Sequence, residues 1–272
     1  MALTNHIVPD SPTTNFCTMS PLAYRHGHNG IQYSEGNLRV VQGTSAISYA
    51  NFTTKSGKWY WEIFIEDNGT VANSDYRGLA EPMSGQSSDG WGNDCFLYNS
   101  YNGTYRLNTG SFTASDIGTA NNPNIIGFFW DADNGYMTVS VNGVSGTTIT
   151  GLSTGIPMCP AVNCNYDTID IINFGQDPTF AGNKSPTTTY TDANGIGAFY
   201  YQPPTDALAL CTANLPDFTP TVVDDTPQDY FKAVTYQASG VNNQIQNVNV
   251  GFQPDLIWIK NTDNTETHYL TD

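Results

Sequence analysis

Residues 57–66 read GKWYWEIFIE, where Trp59, Trp61, Ile63 and Ile65 alternate with Tyr60, Glu62, Phe64 and Glu66. A period of two with aromatic and β-branched enrichment predicts a strand with one fully buried face. Asp67-Asn68-Gly69 then turns the chain. Shorter strands are predicted within 36–43 (GNLRVVQG), 45–52 (SAISYANF), CFLY (95–98), TYRL (104–107), 156–166 and 168–180. In the last of these, Ile169, Ile171 and Asn173 lie opposite Asp170, Ile172 and Phe174. No segment carries a helical period, and ALALCTANL (207–215) is too short to count.

WDADNGYMTVSVNG (130–143) sets Asp131, Asp133 and Asn134 beside Gly135, as a calcium loop would. An EF-hand needs glycine at position 6 and a bidentate glutamate at position 12. Counted from Asp131, the glycine falls at 5 and position 12 is Asn142. Asn134-Gly135 instead suits a two-residue type I′ turn, in which both residues take positive φ. That turn pairs Trp130 with Val139 and Phe128 with Val141 on one face, and Asp131 with Thr138 and Phe129 with Ser140 on the other. Trp130, Phe128, Val139 and Val141 are the expected core residues. Asn142-Gly143 supplies a second turn signal.

Short strands at regular spacing, with 25 Gly and 15 Pro in 272 residues, predict an all-β fold, an antiparallel β-sandwich. Around 202–228 the texture becomes proline-rich and acidic, as at a boundary. The expected organisation is a sandwich over 1–205, a linker over 206–228 and a partial β unit over 229–272. In that unit THYLTD (267–272) is the return strand of a hairpin from LIWIK. A hairpin alone is marginally stable, so neighbouring chains or further sequence should complete it.

Nine Lys plus Arg against 25 Asp plus Glu give a formal charge of −16, which repels a phosphate backbone. Nucleic acid is therefore not an expected partner. No stretch approaches the roughly 18 apolar residues of a membrane span, and MALTNHIVPDSP lacks the basic and apolar regions of a signal peptide. The five cysteines (Cys17, Cys95, Cys159, Cys164, Cys211) contain no C-x-x-C and imply neither a zinc site nor a disulfide framework.

Candidate chemistry is sparse. Glycoside hydrolysis needs two carboxylates about 5 to 10 Å apart. Glu62 and Glu66 share a strand face but stand roughly 13 Å apart at about 3.3 Å per residue. There is no G-x-S-x-G, and His6, His26, His28 and His268 lie near the chain ends without a persuasive nucleophile. His26 and His28 would point to one strand face, a metal pair in form, though loop histidines are the plainer explanation. No catalytic residue, metal or cofactor is expected. The aromatic cluster Trp91, Tyr98, Tyr101 and Tyr105 with Arg106 is the candidate binding surface, because sugar rings and protein anchors both stack on such faces. The alternative is that several of these rings cap the sandwich.

SEGNLRV, GKWYWEI, the GWG…LYNSYNGTYR segment, GFFWDADNGYMTVSVNG, and IPMCPAVN followed by INFGQDPTF occur in an order that resembles a SPRY domain. That resemblance spans roughly residues 15–200 and implies a concanavalin-like jelly roll used for protein and ligand binding. Family members often read LDLDNG where this chain has WDADNG, so no partner specificity carries over. DYFKAVTYQASG and VGFQPDLIWIK resemble a segment that follows such domains in bacteriophage tail-fibre and other virion proteins. The pair implies a non-enzymatic virion protein, assembled in the host cytoplasm, that makes contacts with other virion proteins or a host-surface glycan or protein. A homo-oligomer is expected, with the trimer implied by the resemblance alone. A glycan-recognition module and, after it, a depolymerase are the alternatives.

Overall fold

Residues 10–11, 14–25, 30–43, 46–69, 75–82, 91–163, 167–215, 230–238, 240 and 247–271 are described by a computed structural model. The first strands are β1 (Met19–Arg25), β2 (Ile31–Ser34), β3 (Arg39–Gln42), β4 (Ile47–Ala50) and β5 (Lys58–Asp67). Next come β6 (Tyr76–Ala80), β7 (Cys95–Asn99), β8 (Thr104–Leu107), β9 (Thr113–Ala114), β10 (Ile125–Asp131) and β11 (Tyr136–Val141). β12 (Val144–Ser145), β13 (Ile149–Thr150), β14 (Cys159–Asn163), β15 (Thr168–Asn173) and β16 (Leu208–Ala209) complete the sandwich. One sheet runs β1-β4-β14-β6-β7-β8-β9 and the other β12-β11-β10-β5-β15-β3-β2, with β13 on β11 and β16 on β5. All these pairings are antiparallel except the short β16–β5 contact. A 3-10 turn covers Thr212–Asn214, and among the described residues no helix is long and apolar enough to cross a membrane.

The two sheets close on one apolar core. Trp59, Trp61, Ile63 and Ile65 of β5 join Phe128 and Trp130 of β10, with Leu79 and Phe96 from the facing sheet. Trp61 and Phe128 stack at 5.3 Å. An ion pair crosses this core. Arg77 of β6 donates to both carboxylate oxygens of Asp170 on β15, at 2.7 to 3.0 Å, and to Ser100 Oγ at 2.6 Å.

β5 is covered on its second face as well. Residues 174–211 pass over the outside of the larger sheet, where Phe199 meets Tyr60 edge-on at 5.1 Å and Phe180 tilts against Phe64 at 5.6 Å. Tyr60, Glu62 and Phe64 are consequently buried. The alternation of β5 foretold the inner face correctly; its aromatic second face marks a third layer. Each phenylalanine so buried contributes about 1.5–3 kcal/mol.

The β10–β11 hairpin forms with a different turn. Asp131 faces Tyr136, Trp130 faces Met137 and Phe128 faces Val139, so four residues make the loop instead of two. Gly135 alone takes positive φ, and Asp131 explains why. Its carboxylate accepts from Asn134 N and Nδ2, both at 2.9 Å, while Gly135 N donates to Asp131 O at 2.9 Å. A wider loop held by this side chain outcompetes the type I′ turn. The register moves by two residues, which preserves each residue's face. Trp130, Phe128 and Val139 are buried and Val141 is half-buried against the core. The two-residue turn occurs one strand later, where Asn142 (φ 50°) and Gly143 (φ 80°) join β11 to β12.

The chain divides into compact units at Leu215/Pro216. Residues 206–215, placed in the linker from their composition, belong to the sandwich. Leu208 and Ala209 pair with Trp59 and Tyr60, and Ala209 N and Asn214 Nδ2 donate to buried Asp192. In the second unit β17 (Ile257–Ile259) pairs with β18 (Tyr269–Thr271), so that Trp258 faces Leu270. This is the hairpin read from LIWIK and HYLT. Leu256, Trp258, Tyr269 and Leu270 are all exposed.

Candidate binding cleft on the outer sheet face

Where residues 186–204 pass beside β10, β11 and β12, a cleft of about 380 Å³ opens on the outside of the larger sheet. Tyr60, Gly127, Phe129, Thr138 and Ser140 form its floor, contributed by adjacent strands whose opposite faces fill the core. Thr187, Thr188, Tyr190, Tyr200, Tyr201 and Gln202 form the wall, and Gly143 and Ser145 the far rim. The size lies at the lower end of small-molecule sites.

Two glycines shape it. A Cβ on Gly127 would come within 2.5 Å of Ser140 Oγ and 2.8 Å of Tyr60 Oη, so only glycine lets both hydroxyls lie over the floor. A Cβ on Gly143 would come within 2.7 Å of the Tyr201 ring. Gly127→Ala is expected to displace Tyr60 and Ser140 and to lower stability by about 1–3 kcal/mol, the usual cost of overpacking, read as a lower urea midpoint.

The wall is fastened by Glu62. Its carboxylate, fully buried on β5, accepts from Tyr200 N (2.9 Å), Tyr201 N (2.8 Å), Asn173 Nδ2 (3.1 Å) and Tyr60 Oη (3.2 Å). Burial pushes its pKa up to about 7, against the pull of those four donors. Burial and the neighbouring Glu62 also push Tyr60 well above the ordinary phenol value, so its hydroxyl keeps its proton. A carboxylate ringed by four donors and set outside the lining serves as an anchor.

None of the lining residues is Asp, Glu, His, Cys, Lys or Arg. The cleft offers aromatic faces, hydroxyls and one amide. Glu66, the other carboxylate of the β5 pair, is held by Arg39 Nε at 2.6 Å.

The cluster expected from sequence as a binding surface is divided by the fold. Trp91 (1% exposed) and Tyr98 (0%) are core residues, which corrects their assignment to a surface. Tyr98 lies on a strand flanked by β6 and β8 and donates to Gly118 O at 2.6 Å, while Trp91 meets Tyr76 edge-on. Tyr105 pairs across from Tyr98 and stacks on Phe96 at 6.2 Å, half-buried against the core. Arg106, next along the same strand, projects to the opposite face and lies over Phe112 at 5.6 Å. Tyr101, 43% exposed, is the one member of the five that is fully on the surface. Sequence proximity concealed the alternation that separates these side chains.

His6, His26 and His28, like Cys164, fall outside the described residues. Cys17, Cys95, Cys159 and Cys211 are buried free thiols, and burial pushes Cys159 up to about 12. Asp131 is occupied within its own turn; burial would raise its pKa, but Asn134 and the Tyr136 hydroxyl hold it below the usual carboxylate range. Asp94 accepts from Ser153 Oγ, and Asp67 from Gly69 N at 3.0 Å.

Facing antiparallel sheets with a shaped cleft on one outer face define the first unit as a β-sandwich. SPRY domains are among the solved structures similar to it. That of human HERC1 shares 14% identity, with 57% of this chain and 96% of that chain covered and a TM-score of 0.49. The TRIM65 PSpry domain shares 13%, with 58% and 89% covered and a TM-score of 0.44. Residues 226–272 match a family described as a domain of unknown function, DUF7483. No curated protein matches the chain.

Proposed function

We propose that the chain is a non-enzymatic binding and assembly protein of a bacteriophage virion, with a rigid sandwich for recognition and a C-terminal hairpin for contacts with neighbouring virion subunits. The observation that carries the binding part is the composition of the cleft. Its lining presents rings and hydroxyls but no carboxylate, imidazole or thiol to move a proton or attack a bond. The nearest buried carboxylate, Glu62, spends its oxygens on the wall. The assembly part is supported by the exposed apolar hairpin, because two strands with exposed Trp258, Tyr269 and Leu270 need a partner surface to be stable. The virion setting rests on the resemblance of DYFKAVTYQASG and VGFQPDLIWIK to virion proteins.

Purified particles of the parent phage should contain peptides of this chain in stoichiometric amount. The recombinant chain should release no reducing ends from the host's surface polysaccharide. Absence from the particle would remove the virion assignment, and sustained release of reducing ends would make the chain a depolymerase.

A further inference from the structure

We infer that the cleft between residues 186–204 and strands β10–β12 is a subsite for one neutral sugar residue. This names the ligand class of the binding reading above and depends on it, but not on the virion assignment.

Three features of the site select this class. Tyr190, Tyr200 and Tyr201 supply aromatic faces on the wall, against which the C–H face of a pyranose ring packs. Thr138, Ser140, Ser145, Thr187, Thr188 and Gln202 surround them with short hydroxyls and an amide, able both to donate and to accept, as a ring of hydroxyl groups requires. A wholly apolar ligand, such as a leucine-rich peptide segment, would cover the hydroxyls of Ser145, Thr187 and Thr188 without offering them a hydrogen bond. The third feature is charge. No cation lines the cleft and the chain carries a formal charge of −16, so uronic acids, sialic acids and nucleotides meet repulsion with nothing to neutralise them.

The floor is prepared before any ligand arrives. Tyr60 Oη is already oriented by Glu62, and the absence of a side chain at Gly127 leaves room for it and for Ser140 Oγ. Preorganisation of this kind removes part of the ordering cost of binding. A single sugar in a shallow site of this size should bind with a Kd on the order of millimolar.

The test is saturation-transfer NMR on the full chain with glucose, galactose, mannose and N-acetylglucosamine, alongside glucuronic acid, N-acetylneuraminic acid and adenosine monophosphate. At least one neutral sugar should show transfer, and the acids none. Tyr201→Ala and Gln202→Ala should each weaken that sugar about tenfold, as expected for a lost stacking face or hydrogen bond. Tyr101→Ala, on the other sheet, should leave it unchanged. Unfolding midpoints of the variants separate a lost contact from a lost fold, with Gln202→Ala, at an exposed position, as the safer variant.

Transfer to none of the four neutral sugars overturns the inference. So does preference for an acid or for adenosine monophosphate, or binding that survives both cleft substitutions while the fold is intact. None of these results bears on whether the chain is found in virions, which the particle analysis measures separately.

Discussion

Replacing Asp170 by alanine costs the sandwich about 3–5 kcal/mol, the expected penalty for removing the carboxylate that neutralises a buried guanidinium. Arg77 is 0% exposed and Asp170 2%, and they sit on opposite sheets. The guanidinium therefore has no route to water when its carboxylate is removed. Arg77→Met should destabilise by a similar amount for the converse reason. The double variant Arg77→Met/Asp170→Leu should recover most of the loss, because both desolvation penalties vanish together. Urea unfolding of the wild type, Arg77→Met, Asp170→Leu and the double variant closes the cycle and gives the coupling energy directly. Additive losses would show that the pair does not act as a unit and that its bridging of the sheets is incidental.

The second large effect belongs to Glu62. Glu62→Ala leaves two backbone N–H groups, Asn173 Nδ2 and Tyr60 Oη without their acceptor, at about 3–5 kcal/mol. Glu62→Gln keeps the shape but turns an amide N–H₂ toward a backbone donor, and should cost about 1–3 kcal/mol. The two substitutions differ in what pH does to them. With the folded pKa raised by burial to about 7 from the ordinary 4.5, the native state binds the proton more tightly than the unfolded chain. The resulting stabilisation is complete below the unfolded value and is lost as pH rises through the folded one. Between pH 5 and pH 8 the advantage of the wild type over Glu62→Gln should shrink by roughly 2 to 3 kcal/mol. A gap that stays constant with pH would mean that Glu62 titrates normally in the folded protein.

Much of the inner architecture was legible because burial on one sheet face writes itself as alternation. Trp59, Trp61, Ile63 and Ile65 declared the core, and Phe128, Trp130 and Val139 keep their face although the loop is two residues longer than Asn134-Gly135 predicts. A two-residue error in loop length leaves that parity intact, whereas an error of one would have inverted it. The turn itself was not legible, since nothing in DADNG announces that Asp131 will be buried and bonded to Asn134.

The cleft had no local signature. Its residues come from positions 60, 127–145 and 186–204, and meet only because the return segment folds over the larger sheet. A hint did exist in Tyr60 and Phe64, since aromatic residues on the second face of an already apolar strand call for a covering layer. Glu62 between them marked where that layer would be pinned. The cluster from Trp91 to Arg106 misled for the opposite reason, being conspicuous in sequence but divided between core and two sheet faces in space.

The proposed mode of action is recognition of a ligand, without altering it, through the outer face of the larger sheet. Amide shifts of the isotope-labelled protein, followed during titration with neutral oligosaccharides cut from the host's surface polysaccharide, test it most directly. Shifts concentrated at Gly127, Ser140, Thr187, Thr188 and Tyr200 to Gln202, with the oligosaccharides recovered at their original length, are the predicted result. Shifts gathered around Tyr101 and Arg106, or oligosaccharides shortened during the titration, would contradict it.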